Sequence, residues 1–274
     1  MDVSRVVGRA IIDSYLNSFK VRLKVDLDSP DVEVYCLVRG NEFLEGVNLT
    51  GESLHKRRYR AYEHPASIKP TLASAMLLLS GWKSRDVLID PMCGGATIPI
   101  EAAYIAGNMA PNRFRRDFSF LRLKMFDVTE FENCREKVLE SERETYPGIY
   151  GMEKYRAHLE GGIKNAGRAQ VLEDIRFKLG DATVIHDYPE GDFDFVVVNP
   201  PYGIRMIPKY GDVGKLYDGF IRALREVAEN STLVLITAAK NKFRRTAERT
   251  GLKILSERNI LYGRLNTTLF KCKV

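Results

Sequence analysis

Thiols and imidazoles are scarce in this chain. Its 274 residues hold four cysteines (Cys36, Cys93, Cys134, Cys272) and four histidines (His55, His64, His158, His186). No cysteine pair stands at a metal-ligand spacing, and the histidines form no ligand or triad pattern, so no metal is expected. Scattered cysteines also argue against a disulfide framework and fit reduced thiols in a cytoplasmic protein. No apolar run approaches the length of a membrane span. The opening Met-Asp-Val-Ser-Arg lacks the apolar core of a secretion signal. A membrane partner is therefore not expected. Internal repeats and low-complexity tracts are absent too, which excludes solenoids and tethering linkers.

Hydrophobic residues make up 45% of the chain and charged residues 28%, a globular composition. The length suits one large domain or two small ones. The net charge of +6 favours a polyanionic partner. Basic residues interleave with aromatic ones in His55-Lys56-Arg57-Arg58-Tyr59-Arg60 and again in Arg113-Phe114-Arg115-Arg116. Such runs can hold phosphates and stack bases. Nothing in the chain sets an oligomeric state, and a monomer is the expectation.

Two regions differ in pattern. Residues 3–19 have helical periodicity, and strand-like runs follow at 21–27, 32–39 and 42–49, with a hairpin turn at Arg39-Gly40-Asn41. About 50 such residues make a thin core. The stretch 51–64 reads as a basic linker. From residue 65 strand and helix signals alternate, with helices at 70–80, 97–107, 128–145, 154–167, 214–229 and 241–250. That alternation predicts an α/β fold with a mostly parallel sheet covered on both faces. Two final strands around Tyr262-Gly263-Arg264 predict an antiparallel hairpin at one edge. The Arg- and Phe-rich stretch 108–126 interrupts the alternation as an insertion.

The strongest signal is Asn199-Pro200-Pro201-Tyr202 after Phe195-Val196-Val197-Val198. Three valines suit a buried strand, and two prolines forbid further pairing. An amide and a ring are then fixed at the carboxyl end of a central strand, where open α/β sheets bind ligands. The amide can accept from an NH2 group and the ring can stack on a flat π system. Three other acids end strand candidates. Asp90 precedes Pro91-Met92-Cys93-Gly94-Gly95, a loop whose glycines admit close backbone approach at a helix N-terminus. Its carboxylate suits a cationic ligand such as an ammonium group. Glu153 can accept ribose hydroxyls, and Asp181 an adenine amine. The tips of parallel strands share one edge, so all four side chains should line one crevice.

Together, Asp-Pro-Met-Cys-Gly-Gly (90–95) and Asn-Pro-Pro-Tyr-Gly (199–203) resemble class I S-adenosylmethionine-dependent methyltransferases over residues 65–274. The pair is most similar to the RNA guanine-N2 methyltransferases that carry a THUMP domain, in particular those acting at position 6 of tRNA. The passage from Leu49-Thr50-Gly51-Glu52 through Tyr59-Arg60 to His64-Pro65-Ala66 looks like the exit from a THUMP domain into that family's linker.

The resemblance implies a Rossmann-like, seven-stranded catalytic domain at 65–274. It implies a linker at 51–64 and the C-terminal part of a THUMP-like RNA-binding domain at 1–50. A THUMP domain shorter than the family's leads to the expectation that the N-terminal part is truncated. The cofactor implied is S-adenosylmethionine and the partner is tRNA. Asp90, Pro91, Met92, Cys93, Gly94 and Gly95 would hold the methionine part. Glu153, with Lys154 beside it, would take the ribose, and Asp181 with Ala182 the adenine. The segment from His64, Pro65 and Ala66 to Pro70 would close over the cofactor beside Asn199. Asn199 and the Pro200 carbonyl would hold the guanine amine, and Tyr202 would stack on the base. Lys56, Arg57, Arg58, Tyr59, Arg60, Arg113, Arg115 and Arg116 would face RNA. The turn motif alone serves other planar amines equally well, including adenine, cytosine, an rRNA guanine or a protein glutamine. A non-catalytic RNA-binding module is the third reading.

Overall fold

The computed structural model describes residues 2–143, 148–203 and 213–274. They divide into two compact units, Met1–Leu54 with Phe114–Lys137, and His55–Arg113 with Val138–Val274.

In the first unit, helix α1 (Val3–Phe19) starts where the Asp2 side chain accepts from the Arg5 N–H and ends at Lys20, whose φ is 57°. Strands β1 (Val34–Arg39) and β2 (Glu42–Val47) pair antiparallel across Gly40, at φ 58°. The strand expected over 21–27 does not form. Asp26 instead accepts from the Asp28 and Ser29 N–H groups, an Asx turn that competes with extended pairing. From Phe114 onward the insertion belongs with this unit. Arg115 donates to the carbonyls of Thr50 and Glu52 and lies over the Phe118 ring. Phe118, Phe120, Phe126 and Phe131 form one aromatic cluster, with centroids 5.3–5.7 Å apart.

The second unit is a doubly wound sheet. Its helices are α2 (Pro70–Ser80), α3 (Thr97–Ala106), α5 (Arg156–Ala169), α6 (Val213–Val227) and α7 (Lys240–Thr250). Helix α4 (Val128–Glu140) ends before the expected 145, and residues 144–145 lie outside the described ones. The strands are β3 (Leu88–Asp90), β4 (Ile149–Glu153), β5 (Ile175–Leu179), β6 (Phe195–Val198), β7 (Thr232–Thr237), β8 (Lys253–Tyr262) and β9 (Leu265–Lys273). They lie in the order β5-β4-β3-β6-β7-β9-β8. The first five are parallel, and β9 runs antiparallel to both β7 and β8. This is the expected Rossmann-like, mostly parallel seven-stranded sheet with an antiparallel C-terminal hairpin.

Strand alternation feeds two cores. Leu88, Val197, Val234 and Ile236 pack on the side of α2, α3 and α5. Ile89, Val196, Val198, Leu233 and Leu235 pack on the side of α6 and α7. After β3 the chain moves outward to β4 and β5, then returns to β6 on the other side of β3. That reversal opens a crevice at the carboxyl ends of β3 and β6.

Candidate functional site

A crevice lies at this switch point. Asp90, Glu153, Asp181 and Asn199 all line it. They stand at the ends of β3, β4, β5 and β6, so the shared sheet edge brings together residues far apart in the chain.

The floor is the loop between β3 and α3. Gly94 and Ala96 adopt left-handed conformations at φ 51° and 61°. The loop is knitted to β4, since the Cys93 N–H donates to the Met152 carbonyl (2.9 Å) and the Gly94 N–H to Glu153 Oε2 (3.0 Å). Glu153 Oε1 accepts from the Tyr155 N–H at 2.9 Å. Each oxygen of Glu153 keeps a second lone pair. The His64 ring caps the loop, 3.3 Å from where a Cβ on Gly94 would stand. A side chain at 94 would displace that ring, and the left-handed backbone would be strained as well.

Asp90 is fully buried, and burial together with the nearby Glu153 charge raises its pKa well above the usual carboxylate range against the lowering effect of the Met92 N–H. Burial, with Asp90 and Glu153 nearby, also pushes the Cys93 thiol up. Burial and the neighbouring His158 pull His64 down to about 4. His64 Nδ1 accepts from the Ala66 N–H, so the neutral ring carries its proton on Nε2. Asp181 resists the effect of its own burial: hydrogen bonds from Lys154 and Thr183 lower its pKa below the ordinary value. Lys154 Nζ lies 2.6 Å from Asp181 Oδ2. Carboxylates and a neutral imidazole make this a pocket for a cationic, polar ligand.

At the other end, the Asn199 amide is held from two sides. Its Nδ2 donates to the Ala66 carbonyl at 3.3 Å, and its Oδ1 accepts from the Tyr202 hydroxyl. From the sequence, Tyr202 is expected to be a stacking ring. In the structure its hydroxyl caps the very oxygen that would receive a substrate amine.

Of the residues expected at the cofactor, His64, Ala66, Asp90, Pro91, Met92, Cys93, Gly94, Gly95, Glu153, Lys154, Asp181, Ala182 and Asn199 line the crevice. Pro65 and Pro70 do not: Pro65 is exposed, and Pro70 is buried as the first residue of α2. Pro200 is buried behind the lining and Pro201 takes its place there.

The residues expected to face RNA need correction. Arg57, Tyr59 and Arg115 are buried, at 8%, 1% and 2% exposure. Arg57 Nε and Nη2 each lie 3.1 Å from a Glu101 oxygen, and the Tyr59 hydroxyl donates to the same carboxylate. Arg115 is spent on backbone carbonyls. The run alternates inward and outward, so Lys56 and Arg58 remain exposed. Arg60 is half-buried and donates to the Ile68 carbonyl and Thr97. Arg113 pairs with Glu142 at 2.9 Å, and exposed Arg116 with Glu132 at 3.1 Å.

Sequence reasoning missed Thr97, Ile98, Tyr155 and Leu216 in the lining. It also missed Asn165, buried on α5. The available signal was an Asn within the small apolar stripe Leu159, Gly162, Ala166 and Ala169.

The family model described as "RMKL-like, methyltransferase domain" matches residues 57–268. The chain is 41% identical over 271 residues to a "tRNA (guanine(6)-N2)-methyltransferase" from Archaeoglobus fulgidus, covering 98% of this chain and 64% of that protein. A protein of the same name from Methanocaldococcus jannaschii is 38% identical over 273 residues, covering 98% of this chain and 71% of that one. The chain thus spans about two thirds of the length of these relatives. A methyltransferase candidate solved as a complex with SAH superposes with a TM-score of 0.83 at 25% identity, over 97% of this chain and 68% of that one.

Proposed function

The chain belongs to the RMKL-like methyltransferase domains, and from that premise we propose that it methylates the N2 amine of a guanosine in tRNA, at position 6, with S-adenosylmethionine as donor. One observation carries the reading. The oriented amide of Asn199 lies in the same crevice as the buried carboxylates Asp90 and Glu153. A methyl donor and an amine acceptor can therefore meet there.

The residues fit the cofactor. SAH is what S-adenosylmethionine becomes once its methyl is gone, so a relative holding SAH supports this assignment. Asp90 and the Gly94-Gly95 loop would hold the methionine part, Glu153 and Lys154 the ribose, and Asp181 with Ala182 the adenine. When bound, the cofactor would supply an electrophilic methyl on a sulfonium, with a neutral thioether as the leaving group and one proton of the amine released to solvent.

The chain's own contribution is alignment. The guanine amine is a poor nucleophile because its lone pair is delocalised into the ring. Asn199 Oδ1 and the Pro200 carbonyl, by accepting its two N–H bonds, would aim that lone pair along the transfer axis. Proximity and orientation then lower the barrier. The Tyr202 hydroxyl must first yield Asn199 Oδ1 to the substrate, and its ring would then stack on the base. A neutral His64 avoids repelling the cationic donor. The base has to leave its stack to enter.

The names of the relatives support tRNA as the partner. Exposed Lys56, Arg58 and Arg116 would supply phosphate contacts, and the first unit would correspond to the end of a THUMP-like RNA-binding domain. The test is transfer of a labelled methyl to unmodified tRNA, with rRNA, DNA and protein as competitors, followed by nucleoside analysis. N2-methylguanosine at position 6 is expected. Label confined to adenine, or to a protein glutamine, would refute the guanine assignment.

A further inference from the structure

We infer that Asn165 and Tyr262 are positioning residues of the site: they fasten, at its two ends, the strap 61–69 that carries His64, Ala66 and Ser67 into the crevice. The inference rests on the function proposed above and adds the two side chains that set the cofactor pocket's outer wall.

The strap has no regular helix or strand. Apart from the Ser67 N–H on the His64 carbonyl and the Lys69 carbonyl at the start of α2, its backbone hydrogen bonds run to side chains, and those side chains decide where it lies. At the near end, Asn165 Oδ1 accepts from the N–H groups of both Ala61 and Tyr62, each at 2.8 Å. Its Nδ2 donates to the carbonyls of Tyr62 (2.9 Å) and Gly95 (3.0 Å). An asparagine has two donors and one oxygen with two lone pairs, so every capacity is in use. Because Gly95 belongs to the floor of the crevice, one buried amide ties the strap to the floor. Tyr62 adds a hydroxyl contact of 2.5 Å to His158 Nδ1, also on α5.

At the far end, the Tyr262 hydroxyl accepts from the Lys69 N–H and donates to the Ser67 carbonyl, both at 3.1 Å. Tyr262 closes β8, so the edge hairpin reaches back to the crevice. Between the anchors lie the two contacts that matter for chemistry. His64 packs over Gly94, and the Ala66 carbonyl accepts from Asn199 Nδ2. A strap that shifts carries both away at once. Cofactor affinity falls through His64, and the orientation of the Asn199 amide is lost through Ala66.

The test uses Asn165→Ala and Tyr262→Phe in the full chain. Tyr262→Phe deletes one hydroxyl from a half-buried ring and leaves the fold intact, so it serves if Asn165→Ala does not fold. Calorimetry with S-adenosylmethionine, single-turnover methyl transfer, thermal melting and proton NMR titration of His64 are the measurements. Each variant should bind the cofactor about tenfold more weakly, the scale of a lost buried hydrogen bond. Transfer should slow even at saturating cofactor, and His64 should titrate closer to an ordinary histidine as the strap lifts. Wild-type affinity and an unmoved His64 in both variants would overturn the inference and leave the function standing. Affinity lost only in proportion to the unfolded fraction would overturn it in the same way. A wild-type chain that binds no S-adenosylmethionine would overturn the function itself, and the inference with it.

Discussion

Asn199 has one amide and three claimants: the Ala66 carbonyl, the Tyr202 hydroxyl and the incoming amine. In the proposed reaction only the last is chemistry, and the first two hold the side chain in place before substrate arrives. Asn199→Ala should slow methyl transfer by roughly 10²–10³, the loss for one aligned polar group. Cofactor affinity should stay within a few fold, because the carboxylates and the glycine loop are untouched. Single-turnover rates beside a cofactor titration check this, and an Ala variant with wild-type rates removes Asn199 from the mechanism. Asp90 supports a second prediction. Its folded-state pKa is raised, so the stability of the protonated carboxyl is present below the ordinary carboxylate range and is lost as pH rises through the elevated value. A cationic ligand favours the ionised form. Binding should therefore release protons, and affinity should rise with pH through that window and level off above it. Calorimetry in two buffers of different ionisation enthalpy reads the released protons directly, and Asp90→Asn should abolish the difference. Identical heats for the wild type in both buffers would contradict this.

Helix α5 matters at the scale of an element because it comes close to the cofactor loop. A Cβ on Gly162 would stand 2.9 Å from the Gly94 carbonyl and 3.1 Å from Ala96 Cβ. Two effects compete in Gly162→Ala. Helix propensity favours alanine by about 1 kcal/mol. Overpacking against backbone costs about 1–3 kcal/mol, and a carbonyl cannot swing aside as a flexible side chain can. The clash wins, so the variant should melt lower and bind cofactor less well, as scanning calorimetry and a cofactor titration would reveal. A higher melting temperature would mean that the loop yields freely. The element that departs from expectation is the insertion. Arg113, Arg115 and Arg116 read as a nucleic-acid surface, yet Arg115 is buried on the carbonyls of Thr50 and Glu52, beside the half-buried rings of Phe118, Phe120 and Phe131.

For the molecule as a whole, the net charge of +6 should make the proposed tRNA association salt-dependent. The basic run does not act as a block. Lys56→Ala with Arg58→Ala should weaken tRNA binding and flatten its salt dependence, with melting nearly unchanged, because both side chains are exposed. Arg57→Ala should do the reverse. It strands Glu101 in the core beside Tyr59 and Ser74, and breaking such a buried pair costs about 3–5 kcal/mol. Urea unfolding measures that loss. A well-folded Arg57→Ala protein with weakened tRNA affinity would restore Arg57 to the RNA surface.

The local pattern was enough to read the alternation of strands and helices, the terminal hairpin and the four polar strand tips at Asp90, Glu153, Asp181 and Asn199. Those follow from short-range rules: side-chain periodicity, prolines that end a strand, glycines that turn a loop, and the common edge of parallel strands. Tertiary structure alone decided which basic residues turn inward. Arg57 became a core residue only because Glu101, 44 positions away, waits on α3. It also decided that Asn165 reaches the strap 103 and 104 positions earlier, and that Tyr262 meets Lys69 from the far edge of the sheet. A buried polar group takes whatever partner the fold delivers, and sequence distance carries no record of that pairing.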